Sequence, residues 1–186
     1  MKEIKTLVIE FFKKVYQDDI EIYNEFSLQH ELGLYLRAEL PGYKIQFERN
    51  VSYFIDSANT VKKEIDIVIF NSDKTEKYAL ELKCPLNGQY PEQMYSFCKD
   101  IKFMEQIKEY GFNETYCITL VSDRNFYNGI KNNGIYKYFR EDHSIYGEIA
   151  KPTGIKSNTS SIVLNKEYDF EWLPLDKTRR FYVIGL

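Results

Sequence analysis

Two carboxylates and a lysine stand out between Glu64 and Lys83: Asp66 lies in one alternating run, Glu81 and Lys83 in the next. Ile65, Ile67 and Ile69 alternate with Glu64, Asp66, Val68 and Phe70, the period of a strand. Asn71 to Lys77 reads as a polar turn. Tyr78 to Cys84 then alternates again, with Leu80 and Leu82 on one face and Ala79, Glu81 and Lys83 on the other. An antiparallel hairpin turning near Asp73–Lys74 sets Asp66 opposite Glu81, with the Ile and Leu residues on the core-facing side.

That register has chemical content. Opposed residues on a sheet carry Cβ atoms about 4.5–5.5 Å apart, and like charges there repel. A tolerated pair of acids therefore calls for a shared proton, a nearby lysine or a divalent cation. Mg²⁺ is held by one or two carboxylates, waters and substrate phosphate. Lys83, two residues beyond Glu81 on the same face, reaches the same spot, and such a set can orient a water and stabilise charge on phosphate oxygens. The plainer reading of the same hairpin is a solvated sheet face with Lys83 paired to Glu64.

The elements that must position these residues follow from periodicity. Ile4, Leu7, Val8, Phe11, Phe12 and Val15 have helical spacing over residues 2–16. A second helix is expected from about Asn24 to Leu40, capped by Asn24, burying Phe26, Leu28, Leu32, Tyr35, Leu36 and Leu40, and ended by Pro41–Gly42. Glu31 borders its apolar face and can reach toward the sheet; Glu25, Glu39 and Glu48 are competing acids. Tyr43 to Phe54 alternates as a strand that bends near Asn50, and the hairpin follows. Pro91 opens a helix over about 92–110 with Met94, Phe97, Ile101, Met104 and Ile107 inward. Thr115 to Val121 reads as a buried strand, and Ser161 to Asn165 and Arg179 to Gly185 as late ones. Pro152 to Ser161 reads as a polar, mobile loop.

At 186 residues the chain is expected to form one domain with a real core. A net charge of −3 gives no global pull toward nucleic acid, so any such surface must be local or depend on metal ions. One local candidate is the stretch 125–140, where Lys131, Lys137 and Arg140 are interleaved with Tyr127, Tyr136, Tyr138 and Phe139. Basic residues among aromatics can grip a phosphate backbone and stack bases; a loop covering the sheet is the competing reading. Cys84, Cys98 and Cys117 have neither CxxC nor His-paired spacing and are expected as reduced thiols. The charged amphipathic start and the lack of a long apolar run predict a cytoplasmic protein with no membrane partner. Serine-hydrolase, phosphate-loop, dinucleotide-fold and zincin signatures are absent.

Asp66 followed by Glu81-x-Lys83 at the end of the next strand, with a helical Glu upstream, resembles the PD-(D/E)xK nuclease superfamily. Glu31 followed by Gly42–Tyr43 resembles the spacing of the archaeal Holliday-junction resolvases within it. The resemblance covers about residues 24–121, leaving 122–186 as a C-terminal elaboration; Ile65 stands where many members have Pro. It implies an α/β, restriction-endonuclease-like α-β-β-β-α-β core with a mixed central sheet flanked by helices. It further implies Mg²⁺ or Mn²⁺ on Asp66 and Glu81, Lys83 at the attacking water, Glu31 as an accessory acid and Gln93 as a helix glutamine near the nucleic acid. The activity implied is phosphodiester hydrolysis, with DNA as the expected partner, in defence, repair or recombination. Because one such site cuts one strand, double-strand cleavage would call for a homodimer. A binding or assembly protein that keeps the fold without catalysis, or a nuclease active only with a partner, are the alternatives left open.

Overall fold

A computed structural model describes residues 3–18, 20–56, 58–86, 88–152 and 160–186. The chain builds α1 (Ile4–Gln17), α2 (Glu25–Glu39), β1 (Lys44–Asn50), β2 (Glu64–Phe70), β3 (Lys77–Lys83), α3 (Tyr90–Glu109) and β4 (Glu114–Val121). Beyond β4 come short helical turns between 124 and 142, the small strands β5 (Ser144–Ile145), β6 (Glu148–Ala150), β7 (Ser161–Val163), β8 (Tyr168–Asp169) and β9 (Leu173–Pro174), and the longer β10 (Arg180–Gly185). The central sheet has the order β1-β2-β3-β4-β10-β9. It is mixed: β3 and β4 run parallel, joined by the α3 crossover, and every other neighbouring pair is antiparallel. β5 pairs with β8 and β6 with β7 outside it.

Both faces of this sheet are covered. On one, α1 and α2 bury Ile4, Leu7, Val8, Phe11, Phe12, Leu28, Leu32 and Leu36 against Ile67, Ile69, Leu80, Leu82 and Ile118. Each such side chain contributes about 1.5–3 kcal/mol on leaving water, and Phe12 also stacks on Phe181 of β10 at 4.0 Å between ring centroids. On the other face, α3 and the segment after β4 bury Val68, Phe70, Ala79, Cys117 and Tyr182. The hairpin therefore has no polar, solvated side. Val68, Phe70 and Ala79, which period-two alternation assigns opposite the Ile and Leu residues, are as buried as those residues because a crossover connection places a helix over them.

The six apolar residues expected inward from α1 are all buried, as are Met94, Phe97, Ile101, Met104 and Ile107 of α3. α2 begins with a reciprocal cap: Asn24 Oδ1 accepts from the Ser27 N–H at 2.7 Å and Ser27 Oγ accepts from the Asn24 N–H at 3.0 Å. Such caps satisfy two of the orphan donors of a helix start. Phe26, expected in the core, is instead exposed on the side of the helix away from the leucines, and Ser27 and Gln29 are buried in its place. Gly33 lets α2 lie close on β1: a Cβ there would come within 2.2 Å of the Phe47 ring. β1 ends at Asn50, where the strand reading of 43–54 anticipates a bend, and a single tight turn over Val51–Tyr53 follows. Most of the polar loop anticipated over 152–161, namely 153–159, lies outside the described residues. Among the described residues no helix is long and apolar enough to cross a membrane.

Candidate active site

The register of β1, β2 and β3 brings acids together at one level of the sheet. Phe47 pairs with Ile67 and Arg49 with Ile65, which leaves Glu48 across from Asp66. Ile67 pairs with Leu80, so the next rung sets Asp66 beside Glu81, as the hairpin reading anticipates. The Asp66 N–H donates to Glu81 Oε1 at 3.3 Å, and the Leu82 N–H donates to Asp66 Oδ2 at 2.7 Å. One carboxylate is thus tied to the backbone of the opposite strand and the other to the backbone of its partner acid.

Lys83 closes the set from the same face. Its Nζ donates to Glu25 Oε1 at 3.1 Å and lies 3.5 Å from Asp100 Oδ2. Glu25 is the first residue of α2, where the helix dipole favours a carboxylate, and its second oxygen accepts from the Cys84 N–H at 3.2 Å. Gln29, one turn further on and buried, donates at 2.7 Å to the carbonyl of Asp66 and at 2.6 Å to Glu48 Oε1. Glu48 holds a left-handed backbone conformation, φ 46°, at the rung facing Asp66; such a conformation in a non-glycine residue of a strand is a local strain. Glu25, Phe26, Gln29, Glu48, Asp66 and Leu82 line an open cleft of 240 Å³.

Two groups that the sequence pattern does not single out complete the cluster. Asp100, on the sheet-facing side of α3, is 3% exposed, and its Oδ2 has no hydrogen-bond donor among the described residues. Lys62, in the segment leading into β2, donates through Nζ to Glu81 Oε2 and, at 3.1 Å, to Asp100 Oδ1. Three acids, Asp66, Glu81 and Asp100, and two lysines, Lys62 and Lys83, therefore share one largely buried volume. The signal for Asp100 was present in kind, as an acid on the apolar stripe of a helix. Glu105, one turn further, carries the same signal but anchors the C-terminal segment, accepting from the N–H groups of Asn165 and Lys166 and from the Tyr168 hydroxyl. Periodicity cannot tell the two apart. For Lys62 there is no signal in the sequence.

The electrostatics follow from this crowding. Burial pushes the Asp66 carboxyl up to about 6, against the opposing pull of Lys62 and Lys83 and the Leu82 N–H. Burial, then the charges of Asp66 and Asp100, drive Glu81 well above the ordinary carboxylate range although Lys62 bonds to it. Burial works against the Lys83 ammonium, yet Asp100, Glu25 and Asp66 outweigh it and hold the group above the ordinary lysine value. The same balance, with Asp100, Glu81 and Asp66 as the opposing acids, holds for Lys62. Lys83 is thus a fixed cation at neutral pH, suited to donating hydrogen bonds and unsuited to accepting a proton.

Glu31 and the basic residues of 125–140 are placed elsewhere. Glu31 is not among the residues lining the cleft; it stands two positions from Gln29 and so about 200° around α2, whereas Glu25 shares Gln29's face. Gln93 is half-buried early in α3. Arg140 is occupied by backbone, its Nε donating to the Asn125 carbonyl at 2.9 Å and its Nη1 to the Lys131 carbonyl at 2.6 Å, with its guanidinium over the Tyr136 ring. Lys137 pairs with Asp142 at 3.3 Å. Lys131 is exposed, stands over Tyr136 and lines a second cleft of 420 Å³. That cleft shares Lys151 with a neighbouring one of 460 Å³ on the outer side of α3, which Lys99 and Lys102 also line. Cys98 and Cys117 are buried thiols whose ionisation burial suppresses. No protein-family model, curated protein or solved structure matches this chain.

Proposed function

We propose that this chain is a divalent-metal-dependent nuclease, with DNA as its substrate, built on a restriction-endonuclease-like core. The observation that carries the reading is the rung Asp66–Glu81 with the protonated Lys83 two residues on, Asp66 lining an open cleft. The order α2-β1-β2-β3-α3-β4, with α3 as crossover to a parallel strand, supports the fold assignment. The preference for DNA follows from the family resemblance of the motif.

The residues fit a hard cation. The donors are carboxylate oxygens, and burial first, with the crowding of acids behind it, raises Asp66 and Glu81, a cost that a bound cation would relieve. Among the described residues no cluster of three or more His, Cys, Asp or Glu side chains forms a ready cage; Mg²⁺ typically uses one or two carboxylates and completes its shell with water and phosphate. Asp66 and Glu81 would hold Mg²⁺ or Mn²⁺, which supplies a more acidic water and neutralises charge on the scissile phosphate.

What the chain itself contributes is position and charge. The Leu82 N–H and Gln29 fix the Asp66 carboxylate and backbone. Glu25 orients the Lys83 ammonium, which donates to the attacking water or to a non-bridging phosphate oxygen as charge develops there. The clefts that carry Lys131, Lys151 and Lys99 offer charge to a phosphate backbone, whereas Arg140, Lys137 and Lys102, the last paired with Glu105 at 3.0 Å, act first within the protein. Cutting both strands of a duplex would require two copies of the site, as in a homodimer.

The test is cleavage of supercoiled plasmid, linear duplex, single strands, a four-way junction and RNA by the wild type and Asp66→Asn, each with Mg²⁺, Mn²⁺ or a chelator. Metal-dependent cutting lost in the variant is the expected result. A folded wild type that binds metal and cuts nothing would move the reading to a nuclease that needs a partner. One that neither binds metal nor cuts would leave a non-catalytic binding or assembly role.

A further inference from the structure

Lys62 holds an oxygen of one of the two acids that the proposed reading gives to a metal ion. Its ammonium bridges Glu81 Oε2 and Asp100 Oδ1, so one of the two proposed metal-binding acids already has a cation on it. The contact is an internal one: Glu81 and Asp100 are 1% and 3% exposed, and the Lys62 ammonium also stands 5.6 Å from the centre of the Phe103 ring. A buried carboxylate without a counter-charge is costly, which explains why a lysine is drawn in from the adjoining segment.

The geometry around Lys62 separates a fixed backbone from a movable head. The Val61 N–H donates to Gln106 Oε1 of α3 at 2.8 Å, the Thr60 hydroxyl to the Lys62 carbonyl at 2.5 Å, and the Val51 N–H to the Lys63 carbonyl at 2.9 Å. The side chain itself keeps 27% exposure, and lysine is a compact charge on a four-carbon stem that rotates freely. Asp100 can retain the ammonium when Glu81 gives it up: its Oδ1 already accepts from Lys62 at 3.1 Å, while its Oδ2 faces Lys83 at 3.5 Å.

We infer that Lys62 is a built-in, displaceable counter-ion that competes with a divalent cation for Glu81, with Asp100 as the acid that keeps the ammonium when the cation binds. This rests on the metal-dependent reading above. Lys62 is a positioning residue in this scheme: it sets how tightly the site takes metal and holds the buried acids together in its absence.

The experiment is Mn²⁺ binding to the full chain at pH 7.5, read from the electron-spin resonance of free Mn²⁺, for wild type, Lys62→Gln, Lys62→Met and Lys62→Arg. Removing a unit charge beside the site should tighten Mn²⁺ binding about tenfold in the Gln and Met variants, while Arg, which keeps the charge, binds like wild type. Lys62→Gln can still donate a hydrogen bond to Glu81, so it guards against a Met variant that fails to fold. In wild type, the lysine ammonium NMR signal of Lys62 should move as Mg²⁺ is titrated, in step with occupancy. Wild-type binding with no tightening in the Gln variant, or an unmoved Lys62 signal at full occupancy, overturns the inference and leaves the nuclease reading standing. Failure of every protein to bind metal overturns both.

Discussion

Replacing Asp66 by Asn should make the metal-free protein more stable while abolishing the proposed cleavage. Burial holds the Asp66 carboxyl at about 6 against an ordinary value of 3.8, so the fold prefers the neutral acid. A group with a raised folded pKa contributes stability that is fully present below its unfolded value and lost as pH rises through the folded one. For Asp66 the loss runs from about pH 4 to pH 6. At about 1.4 kcal/mol per tenfold change in proton affinity, the ionised carboxylate costs up to about 3 kcal/mol at neutral pH. Asn carries no charge, and its side-chain oxygen can still accept from the Leu82 N–H that now reaches Asp66 Oδ2. Its neutrality also relieves Glu81, which the Asp66 charge pushes upward.

The assay is urea unfolding of wild type and Asp66→Asn in chelator at pH 7.5 and near pH 4. A gain of about 1–3 kcal/mol is expected at pH 7.5, equivalent to several degrees in Tm for a chain of this size, and it should shrink toward zero near pH 4, where Asp66 of the folded wild type already carries its proton. Adding Mg²⁺ should stabilise wild type alone and narrow the gap. An Asn variant equal to or weaker than wild type at pH 7.5 would refute the reasoning, because it would mean that Lys62 and Lys83 fully compensate the buried charge.

Three further outcomes follow from the same geometry. Lys83→Met should reduce single-turnover cleavage about 10²–10³-fold, the loss typical of one transition-state donor, without weakening Mn²⁺ binding; because Lys83 stays charged, no wild-type rate limb should titrate with it between pH 6 and 9. Glu25→Gln should lower cleavage by loosening Lys83 and change stability by less than about 1 kcal/mol, since the pair is partly exposed, whereas Glu31→Gln should cleave like wild type in the same assay. Gly33→Ala should destabilise by about 1–3 kcal/mol in urea unfolding, because the new methyl meets the Phe47 ring and forces α2 off β1.

The sequence by itself determined what depends on neighbours along the chain. Helical spacing marks the inward residues of α1 and α3, and the turn position in the hairpin fixes which residue of β3 stands across from Asp66, because pairing in a hairpin is set by its loop. The Asn24 cap is equally local. Tertiary structure decided everything that depends on how elements rotate and where segments cross. The turn of α2 over β1 selects Glu25 and Gln29 for the site, leaves Phe26 at the rim of its cleft instead of in the core, and carries Glu31 away. The α3 crossover buries the second face of the hairpin and brings Asp100 to Lys83. The same packing engages Arg140 with the carbonyls of Asn125 and Lys131, so a basic side chain in an aromatic stretch becomes a brace for its own loop. Lys62 reaches Glu81 from 19 residues away; a buried negative charge draws in whichever cation the fold leaves within reach, and no local pattern records which one that will be.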